Sequence, residues 1–242
     1  MSPADLAGRR VLVTRPAGQA ATLARLIREA GGEAIEFPAL EIVPADPAPS
    51  LPFAPDAALF VSPNAARCGL PLLGNALPLR VYAVGPGTAR ALAEGGIARV
   101  ETPSGQDSEA LLALPSLRAV AGQKLLLVRG VGGRELIADT LRERGAEIGY
   151  FECYRRACPR ADAASLIARW RAEGIDAVTV ASFETLVNLA ALLGDAMRPS
   201  LLDTPLFAPH EKIAAAARRF GVRRAMATAG GAAGLAAGLA NR

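Results

Sequence analysis

The sequence has few of the residues that metal sites and disulfide frameworks need. Its 242 residues include three cysteines, none of them in a CxxC pair, and one histidine, His210. An odd, widely spaced set of cysteines argues against a disulfide framework and a zinc site, and it suits a reducing compartment. We therefore expect no bound metal, and we predict a cytoplasmic protein.

Long hydrophobic runs are also missing from the sequence. No apolar stretch reaches the roughly 18 to 20 residues that a membrane-spanning helix needs. The first ten residues, MSPADLAGRR, lack the apolar core of a secretory signal. The composition, 51% hydrophobic and 21% charged, is that of a folded globular chain. We expect no association with a membrane.

Aromatic residues make up only 5% of the chain, and no basic tract is interleaved with them. Nucleic acid is therefore not an expected partner. The net charge is +4, and all basic residues except Lys124 and Lys212 are arginine. Arginine binds carboxylates and phosphates in a fork, so an anionic ligand is compatible with the composition. A GC-rich genome would explain the arginine equally well.

The usual nucleotide and hydrolase motifs are lacking as well. The sequence contains no GxGxxG after a strand, no GxxxxGK[ST], no GxSxG and no HExxH. The glycine-rich segment from Arg129 to Arg134 fits neither nucleotide spacing. The sequence therefore gives no reason to predict a nucleotide cofactor.

One long segment of the sequence occurs twice. Residues 124–156 have the pattern of a strand, a polar loop, a helix and a second strand, and a shift of roughly 114 positions lays them over the start of the chain. Such internal similarity indicates a duplication. Matched pairs include Leu127 with Val13, Arg129 with Arg15, Gly132 with Gly18, Gly145 with Gly31 and Phe151 with Phe37.

Each copy contains four successive strand-turn-helix units, the last strand of the first copy ending at Val100. This alternation predicts an α/β fold of two similar domains, each a parallel sheet flanked by helices. Two arrangements are open. The halves could be contiguous, divided near Ala121. Alternatively the first units could be exchanged, because residues 37–43 and 151–158 are equivalent extended segments that could pair as a two-stranded antiparallel linker.

Small, hydroxylic and cationic residues occupy the turns after the strands. Ligands of open parallel sheets bind at the carboxyl ends of the strands, against helix N-termini that favour anions. These residue types suit carboxylates, and we expect a cleft between the domains for a polyanion. Ser, Thr and Asn at helix starts are mostly caps, and capping is the alternative explanation for each of them. His210 is better explained as a cap or a ligand contact than as a base, and Tyr154 could be a packed strand residue.

Several motifs, taken in order, resemble those of the uroporphyrinogen-III synthase family. They run through nearly the whole chain, and their succession is more specific than any one of them. They are VLVTRP from Val11, FVSPNA from Phe60, AVGPGTARAL from Ala83, SEALL from Ser108, LLVRGVGGRELIADTLRERGAEI from Leu126 and YRR from Tyr154.

The resemblance implies two domains, the first discontinuous, at residues 1–38 plus 157–242 and 39–156. It also implies a cyclising hydro-lyase of heme and porphyrin biosynthesis that works without a cofactor. The implied substrate is hydroxymethylbilane, a linear tetrapyrrole with eight carboxylates, which is closed to uroporphyrinogen III with inversion of ring D and loss of water. We expect the enzyme to act as a monomer.

The same resemblance implies the site residues. The family's tyrosine, thought to help the terminal hydroxyl leave, falls on Tyr154, the predicted catalytic residue. The predicted substrate-binding residues are Arg15, Ser62, Asn64, Thr88, Ser104, Ser108, Arg129, Gly133, Arg134, Ser182 and His210.

The second half departs from the family pattern. Residues 181–183 are Ala-Ser-Phe where members often show Thr-Ser-Ser, and residues 209–212 match only loosely. A second hypothesis therefore remains: a two-lobed module that binds or regulates through an anionic small molecule without chemistry. Consumption of hydroxymethylbilane by the purified protein separates the two hypotheses.

Overall fold

The computed structural model describes residues 6–105 and 107–241, and the chain forms two compact units. Unit 1 extends to Glu41 and resumes at Ala157, whereas unit 2 is the continuous segment Ile42–Arg156. The predicted domain limits are 1–38 plus 157–242 for one domain and 39–156 for the other, and they remain a prediction. Residues 1–5, 106 and 242 lie outside the described ranges.

Ten strands occur along the described residues, five in each sheet. The sheet of unit 1 contains β1 (Arg10–Val13), β2 (Glu33–Glu36), β8 (Ala177–Thr179), β9 (Leu206–Ala208) and β10 (Ala225–Ala227). The other sheet contains β3 (Glu41–Pro44), β4 (Ala57–Phe60), β5 (Arg80–Ala83), β6 (Lys124–Gly130) and β7 (Glu147–Ala157).

Helices follow most of the strands, as the sequence predicts. Unit 2 contains α2 (Pro63–Leu73), α3 (Pro86–Glu94), α4 (Ser108–Leu112) and α5 (Leu136–Glu143), with 3₁₀ turns at Gly74–Ala76 and Pro115–Leu117. Unit 1 contains α1 (Ala21–Glu29), α6 (Ala164–Glu173), α7 (Phe183–Leu193), α8 (Arg198–Asp203), α9 (Glu211–Phe220) and α10 (Gly231–Ala240), with a 3₁₀ turn at Asp195–Met197. None of the helices in the described part of the chain has the length and apolar character to cross a bilayer.

The strand order shows that the first units of the two copies are exchanged. The sheet of unit 1 has the order β10-β9-β8-β1-β2, and that of unit 2 has the order β3-β7-β6-β4-β5. Strand β1 pairs in parallel with β8, and β6 pairs in parallel with β4. The prediction of exchanged first units is therefore confirmed, and the alternative of contiguous halves is wrong.

Both sheets are buried on both faces, which explains why their strands read as continuous apolar runs. Successive residues of a strand point to opposite faces. In β4, Ala58 and Phe60 pack on one side of the sheet, and Ala57 and Leu59 pack on the other.

The prediction of a strand ending at Val100 is wrong, because no complete strand forms there in the described residues. Only Glu101 makes an isolated parallel bridge, with Tyr82 of β5. This bridge lies beyond the edge strand β5, where Pro103 follows closely and has no backbone N–H to extend a ladder. The sheet of unit 2 therefore has β5 as its edge strand on this side.

Candidate active site

A cavity of about 210 Å³ opens at the carboxyl ends of three neighbouring strands of unit 2, namely β4, β6 and β7. This is the edge at which parallel α/β sheets bind their ligands. Six residues that the sequence predicts for the site line it: Ser62, Ser108, Arg129, Gly133, Arg134 and Tyr154. The remaining lining residues are Val61, Leu127, Gly130, Gly132, Ile137 and Arg156.

A larger cavity, about 830 Å³, lies in unit 1, near the amino ends of its strands. Its wall includes Trp170, Phe207 and Leu239, with Arg9 and Arg224 among its polar residues. Within the described residues, it is lined by none of the predicted site residues. Volume alone does not identify a site, and the smaller cavity is favoured because it lies at the carboxyl ends of the strands, where parallel α/β sheets bind their ligands.

Tyr154 is buried in the wall of the smaller cavity, with 6% of its surface exposed. Its hydroxyl oxygen lies 3.2 Å from Ser62 Oγ, and its backbone carbonyl accepts a hydrogen bond of 2.8 Å from the N–H of Val131. A fixed phenol hydroxyl at a cavity wall can donate a proton to a molecule in that cavity. The structure thus places the predicted catalytic residue where it could act as an acid.

Ser62 follows β4 and caps α2. Its Oγ accepts a hydrogen bond of 3.0 Å from the backbone N–H of Ala65, and Pro63 occupies the first helical position. Both features are typical of helix starts. The capping role considered from the sequence is therefore real, and the same oxygen also meets Tyr154.

Arg129 is an almost completely buried arginine, with 4% of its surface exposed. Its Nε–H donates to the carbonyl oxygens of Gly130 and Gly132, at 3.3 and 3.2 Å, and Nη1 donates to Glu135 Oε1 at 2.8 Å. Glu152 Oε1 lies 3.9 Å from the same Nε. Arg129 therefore organises the loop between β6 and α5 as well as lining the cavity.

Tyr150 and Arg142 hold in place the Glu135 carboxylate that pairs with Arg129. The Tyr150 hydroxyl donates a 2.5 Å hydrogen bond to Glu135 and accepts one of 3.0 Å from Arg142. The pKa of Glu135 is lowered, first by the hydrogen bond from Tyr150 and then by that from Arg129. Burial and the Glu135 carboxylate together raise the pKa of Tyr150. Glu135 therefore stays ionised and keeps its bonds to Arg129.

Arg134 and Ser108 lie on the open side of the cavity. The Arg134 side chain is 71% exposed, and its contact with Glu109 is long, at 3.8 Å. Gly133 has φ +119°, a conformation that favours glycine. Ser108 is the first residue of α4, which Asp107 caps by accepting from Ala110 N–H at 2.8 Å. An exposed guanidinium with one weak partner can turn to a carboxylate at little cost.

Three predicted residues of unit 2 are not among those lining this cavity. Asn64 is the second residue of α2 and is half-buried, whereas Thr88 is buried within α3. Ser104 is exposed in the bend before α4. They lie after the ends of strands, as predicted, but they do not line the cavity that Tyr154 lines.

Arg15, Ser182 and His210 follow β1, β8 and β9, which are adjacent in the sheet of unit 1. Arg15 Nε is buried without a hydrogen-bond partner in the described part of the chain, and burial lowers the pKa of Arg15. Ser182 caps α7 by accepting from Thr185 N–H at 3.1 Å. His210 precedes α9, but its side chain makes no capping bond. These residues share the carboxyl edge of the unit 1 sheet.

The sequence interpretation missed several residues in and around the cavity. Gly130 packs directly against the Tyr154 ring, but it aligns with Pro16 in the other copy, so the duplication gives no signal for it. Glu135 and Tyr150 also went unnoticed, since an acidic residue at a helix start and a tyrosine in a strand are ordinary residues at such positions. Within the described residues, no group of three or more His, Cys, Asp or Glu side chains could hold a metal ion.

The fold and the cavity together define a class. They describe a parallel α/β protein with a cavity at the carboxyl edge of one sheet, lined by a tyrosine, two serines and three arginines, residue types found in enzymes for anionic small molecules. Comparison with known proteins narrows this class, because the chain belongs to the uroporphyrinogen-III synthase family. The family model described as uroporphyrinogen-III synthase HemD matches residues 21–237.

Relatives match the chain over most of its length. A uroporphyrinogen-III synthase of Salmonella typhimurium is 34% identical over 224 residues, covering 87% of this chain and 91% of the relative. That of Escherichia coli K12 is 35% identical over 225 residues, with the same two coverages. Among solved structures, a uroporphyrinogen-III synthetase of Helicobacter pylori superposes with a TM-score of 0.62 at 13% identity, covering 92% of this chain and 93% of its own. That last likeness supports the fold alone.

Proposed function

We propose that this protein is a uroporphyrinogen-III synthase that cyclises hydroxymethylbilane to uroporphyrinogen III, with inversion of ring D and loss of water. The observation that carries the proposal is the Tyr154 hydroxyl, 3.2 Å from Ser62 Oγ, at the wall of a cavity that Arg134, Ser108 and Arg129 also line. Membership of the family supplies the substrate, and the cavity supplies an acid beside groups that bind carboxylates.

The proposed reaction requires one group to help the terminal hydroxyl of the substrate leave. In our proposal Tyr154 donates its proton to that hydroxyl, the C–O bond breaks and water departs. The positive charge that remains is shared between the terminal carbon and its pyrrole nitrogen. The terminal carbon then bonds to ring D at the α carbon that already carries the bridge from ring C. The old bridge bond breaks, and the freed bridge carbon bonds to the other α carbon of ring D, which inverts the ring. The α proton released when ring D becomes aromatic again restores Tyr154. General acid assistance of this kind is typically worth about 10²- to 10⁴-fold in rate.

Carboxylates of the substrate are assigned to the open side of the cavity. Arg134 is exposed and has only a long contact with Glu109, and the loop that Arg129 organises exposes Gly132 and Gly133. Charged hydrogen bonds of this kind contribute about 1.5 to 3 kcal/mol each when they are shielded from water. The predicted substrate contacts at Asn64, Thr88, Ser104, Arg15, Ser182 and His210 stay predictions, as do the monomeric state and the cytoplasmic location.

The test uses purified protein and freshly prepared hydroxymethylbilane, without added metal, nucleotide or flavin. The products are oxidised to porphyrins and the two isomers are separated by chromatography. We expect the inverted isomer to dominate, whereas the unaided reaction closes without inversion. If wild-type protein gives only the uninverted isomer but still binds the substrate, the non-catalytic binding module is the better description.

A further inference from the structure

The β6–β7 pairing contains an irregularity that decides where Tyr154 points. Arg129 of β6 lies opposite Glu152, but the next residue, Gly130, lies opposite Tyr154, so that Cys153 is an extra residue in β7. Such a bulge bends a strand and re-aims the side chain that follows it. Here it places Tyr154 directly opposite a glycine.

The bulge moves Tyr154 to the other face of the sheet. Side chains of a regular strand alternate between faces, and Ile148 and Tyr150 pack on the side of α4 and α5. By alternation Tyr154 would join them. Instead it packs with Phe151 and Cys153 on the side of α2. The bulge therefore brings the phenol to the helix that Ser62 caps.

Gly130 leaves the space that the Tyr154 ring occupies. A Cβ atom built on Gly130 would lie 2.6 Å from Cζ, 2.7 Å from Cε2 and 3.0 Å from Cε1 of Tyr154. These are the atoms at the hydroxyl end of the ring, and real Cβ atoms do not approach so closely. Gly130 does not have a positive φ, so this position needs glycine for space and not for its backbone conformation.

Ser62 holds the same ring from its hydroxyl end. A serine hydroxyl has one proton to donate and two lone pairs that accept. One lone pair of Ser62 accepts from Ala65 N–H at 3.0 Å, which leaves the proton and the other lone pair for the Tyr154 hydroxyl at 3.2 Å. When Tyr154 gives its proton away, the Ser62 hydroxyl can turn and donate to the phenolate. Hydrogen bonds linked in this way polarise and strengthen one another.

We propose that Gly130 and Ser62 are positioning residues for the Tyr154 hydroxyl. Gly130 leaves room for the ring, and Ser62 orients the oxygen and stabilises it after proton transfer. This assignment rests on the proposed function and deepens it. Ser62 then acts through Tyr154 as well as lining the cavity, and Gly130 becomes a specific requirement of the site. In the proposed step, the proton moves from Tyr154 to the leaving hydroxyl, and Ser62 keeps its own proton throughout.

A double-mutant cycle tests the role of Ser62. Ser62→Ala and Tyr154→Phe are made singly and together, and kcat and KM for hydroxymethylbilane are measured for each. We expect Ser62→Ala to lower kcat by about tenfold, and to lower it by less than about twofold when Tyr154→Phe is already present, since the two residues act as one unit. Ser62→Thr keeps both the hydroxyl and the helix cap, and we expect it to restore most of kcat.

Gly130→Ala tests the role of the glycine. It should lower kcat nearly as far as Tyr154→Phe while leaving KM within about threefold, because it displaces the ring and not the substrate. It should add little to Tyr154→Phe, which lacks the hydroxyl that the displacement would misplace. Gly95→Ala is the matched control: its Cβ would meet Leu70 Cδ1 at 2.5 Å, at the far end of α3 from the cavity. We expect it to keep kcat.

The outcomes separate the two levels of the proposal. If the wild type yields no inverted isomer, the proposed function fails and this role fails with it. A second outcome is that the wild type yields the inverted isomer, but the reductions in kcat caused by Ser62→Ala and by Tyr154→Phe multiply in the double variant. The positioning role is then overturned and the proposed function stands. Melting temperatures identify a Gly130→Ala variant that has not folded, and the Ser62 cycle with its Thr rescue then decides alone.

Discussion

In the proposed mechanism the Tyr154 hydroxyl increases the rate, whereas the geometry of ring closure depends on the many groups that hold the substrate. Positioning of reactants can be worth about 7 to 11 kcal/mol, but one general acid contributes about 10²- to 10⁴-fold. We therefore expect Tyr154→Phe to slow turnover strongly and still to give mainly the inverted isomer. The measurement is the rate together with the isomer ratio. Full activity of the variant would mean that Tyr154 has no catalytic role.

Arg134 is the side chain of the cavity best placed to meet a carboxylate. It is exposed and has only a 3.8 Å contact with Glu109, so Arg134→Ala disturbs no other hydrogen bond that the structure shows. We expect KM to rise by up to about tenfold with kcat nearly unchanged, a small effect for a charged hydrogen bond because water screens this site. KM should also become less sensitive to salt.

Arg118→Ala is the control for this change, since Arg118 is also an exposed arginine. It follows the turn Pro115–Leu117, on the approach to the amino end of β6. This variant should leave both KM and its salt dependence as they are. A KM that is the same in Arg134→Ala and in wild type would remove Arg134 from the substrate site.

The titration of Glu135 should show how the hydrogen bonds around the loop between β6 and α5 depend on pH. Its pKa is lowered in the folded chain, first by the hydrogen bond from Tyr150. A carboxyl of this kind stabilises the fold above its unfolded pKa, and that contribution is lost as pH falls through the folded pKa. Tyr150→Phe removes the first cause, so Glu135 in the folded chain should be protonated, and its contribution fully lost, at a higher pH than in wild type.

The measurement is the NMR titration of the Glu135 carboxyl carbon, whose midpoint should move upward in Tyr150→Phe. Tyr82→Phe alters a buried tyrosine of β5 outside this network and serves as the control. An unmoved midpoint in Tyr150→Phe would show that Arg129 sets this pKa without help from Tyr150.

At the scale of elements, periodicity and turn chemistry predicted most of the structure. The apolar runs at the starts of both copies are buried parallel strands, and Ser62 and Ser182 cap α2 and α7 as their positions predicted. These features depend on local sequence, and local patterns carry them. The strand near Val100 is reduced to a bridge, because its pairing depends on an edge that the local sequence does not describe.

The arrangement of the cavity was harder to predict than the elements around it. Resemblance placed Tyr154 in the site, but the face to which it points depends on the bulge at Cys153, and a bulge has no local signature here. The same limit applies to Arg129: its burial and its hydrogen bonds follow from the fold of the loop after β6. The residue types indicated a site for an anionic ligand, and the tertiary structure determines which of these residues line the same cavity.

At the scale of the whole molecule, the exchange of first units leaves a matched pair of contacts. Asp176 Oδ2 accepts a 2.7 Å hydrogen bond from the backbone N–H of Arg10, at the start of β1. Asp56 Oδ2 accepts a 2.8 Å bond from the N–H of Lys124, at the start of β6. Each aspartate thus secures the first strand of the other copy. Contiguous halves would instead pair Asp56 with Arg10 and Asp176 with Lys124.

Disulfide trapping can distinguish these two pairings in solution. Neighbouring strands lie about 4.8 Å apart, within the Cα separation of about 4.4 to 6.8 Å that a disulfide spans. In a background with Cys158→Ser, which removes the exposed thiol, we expect a bond to form in Arg10→Cys/Asp176→Cys and in Lys124→Cys/Asp56→Cys. The crossed pair Arg10→Cys/Asp56→Cys should stay reduced, because its two positions belong to different sheets. Electrophoresis without reductant shows each loop as a faster band, and a faster band in the crossed pair alone would contradict the exchange.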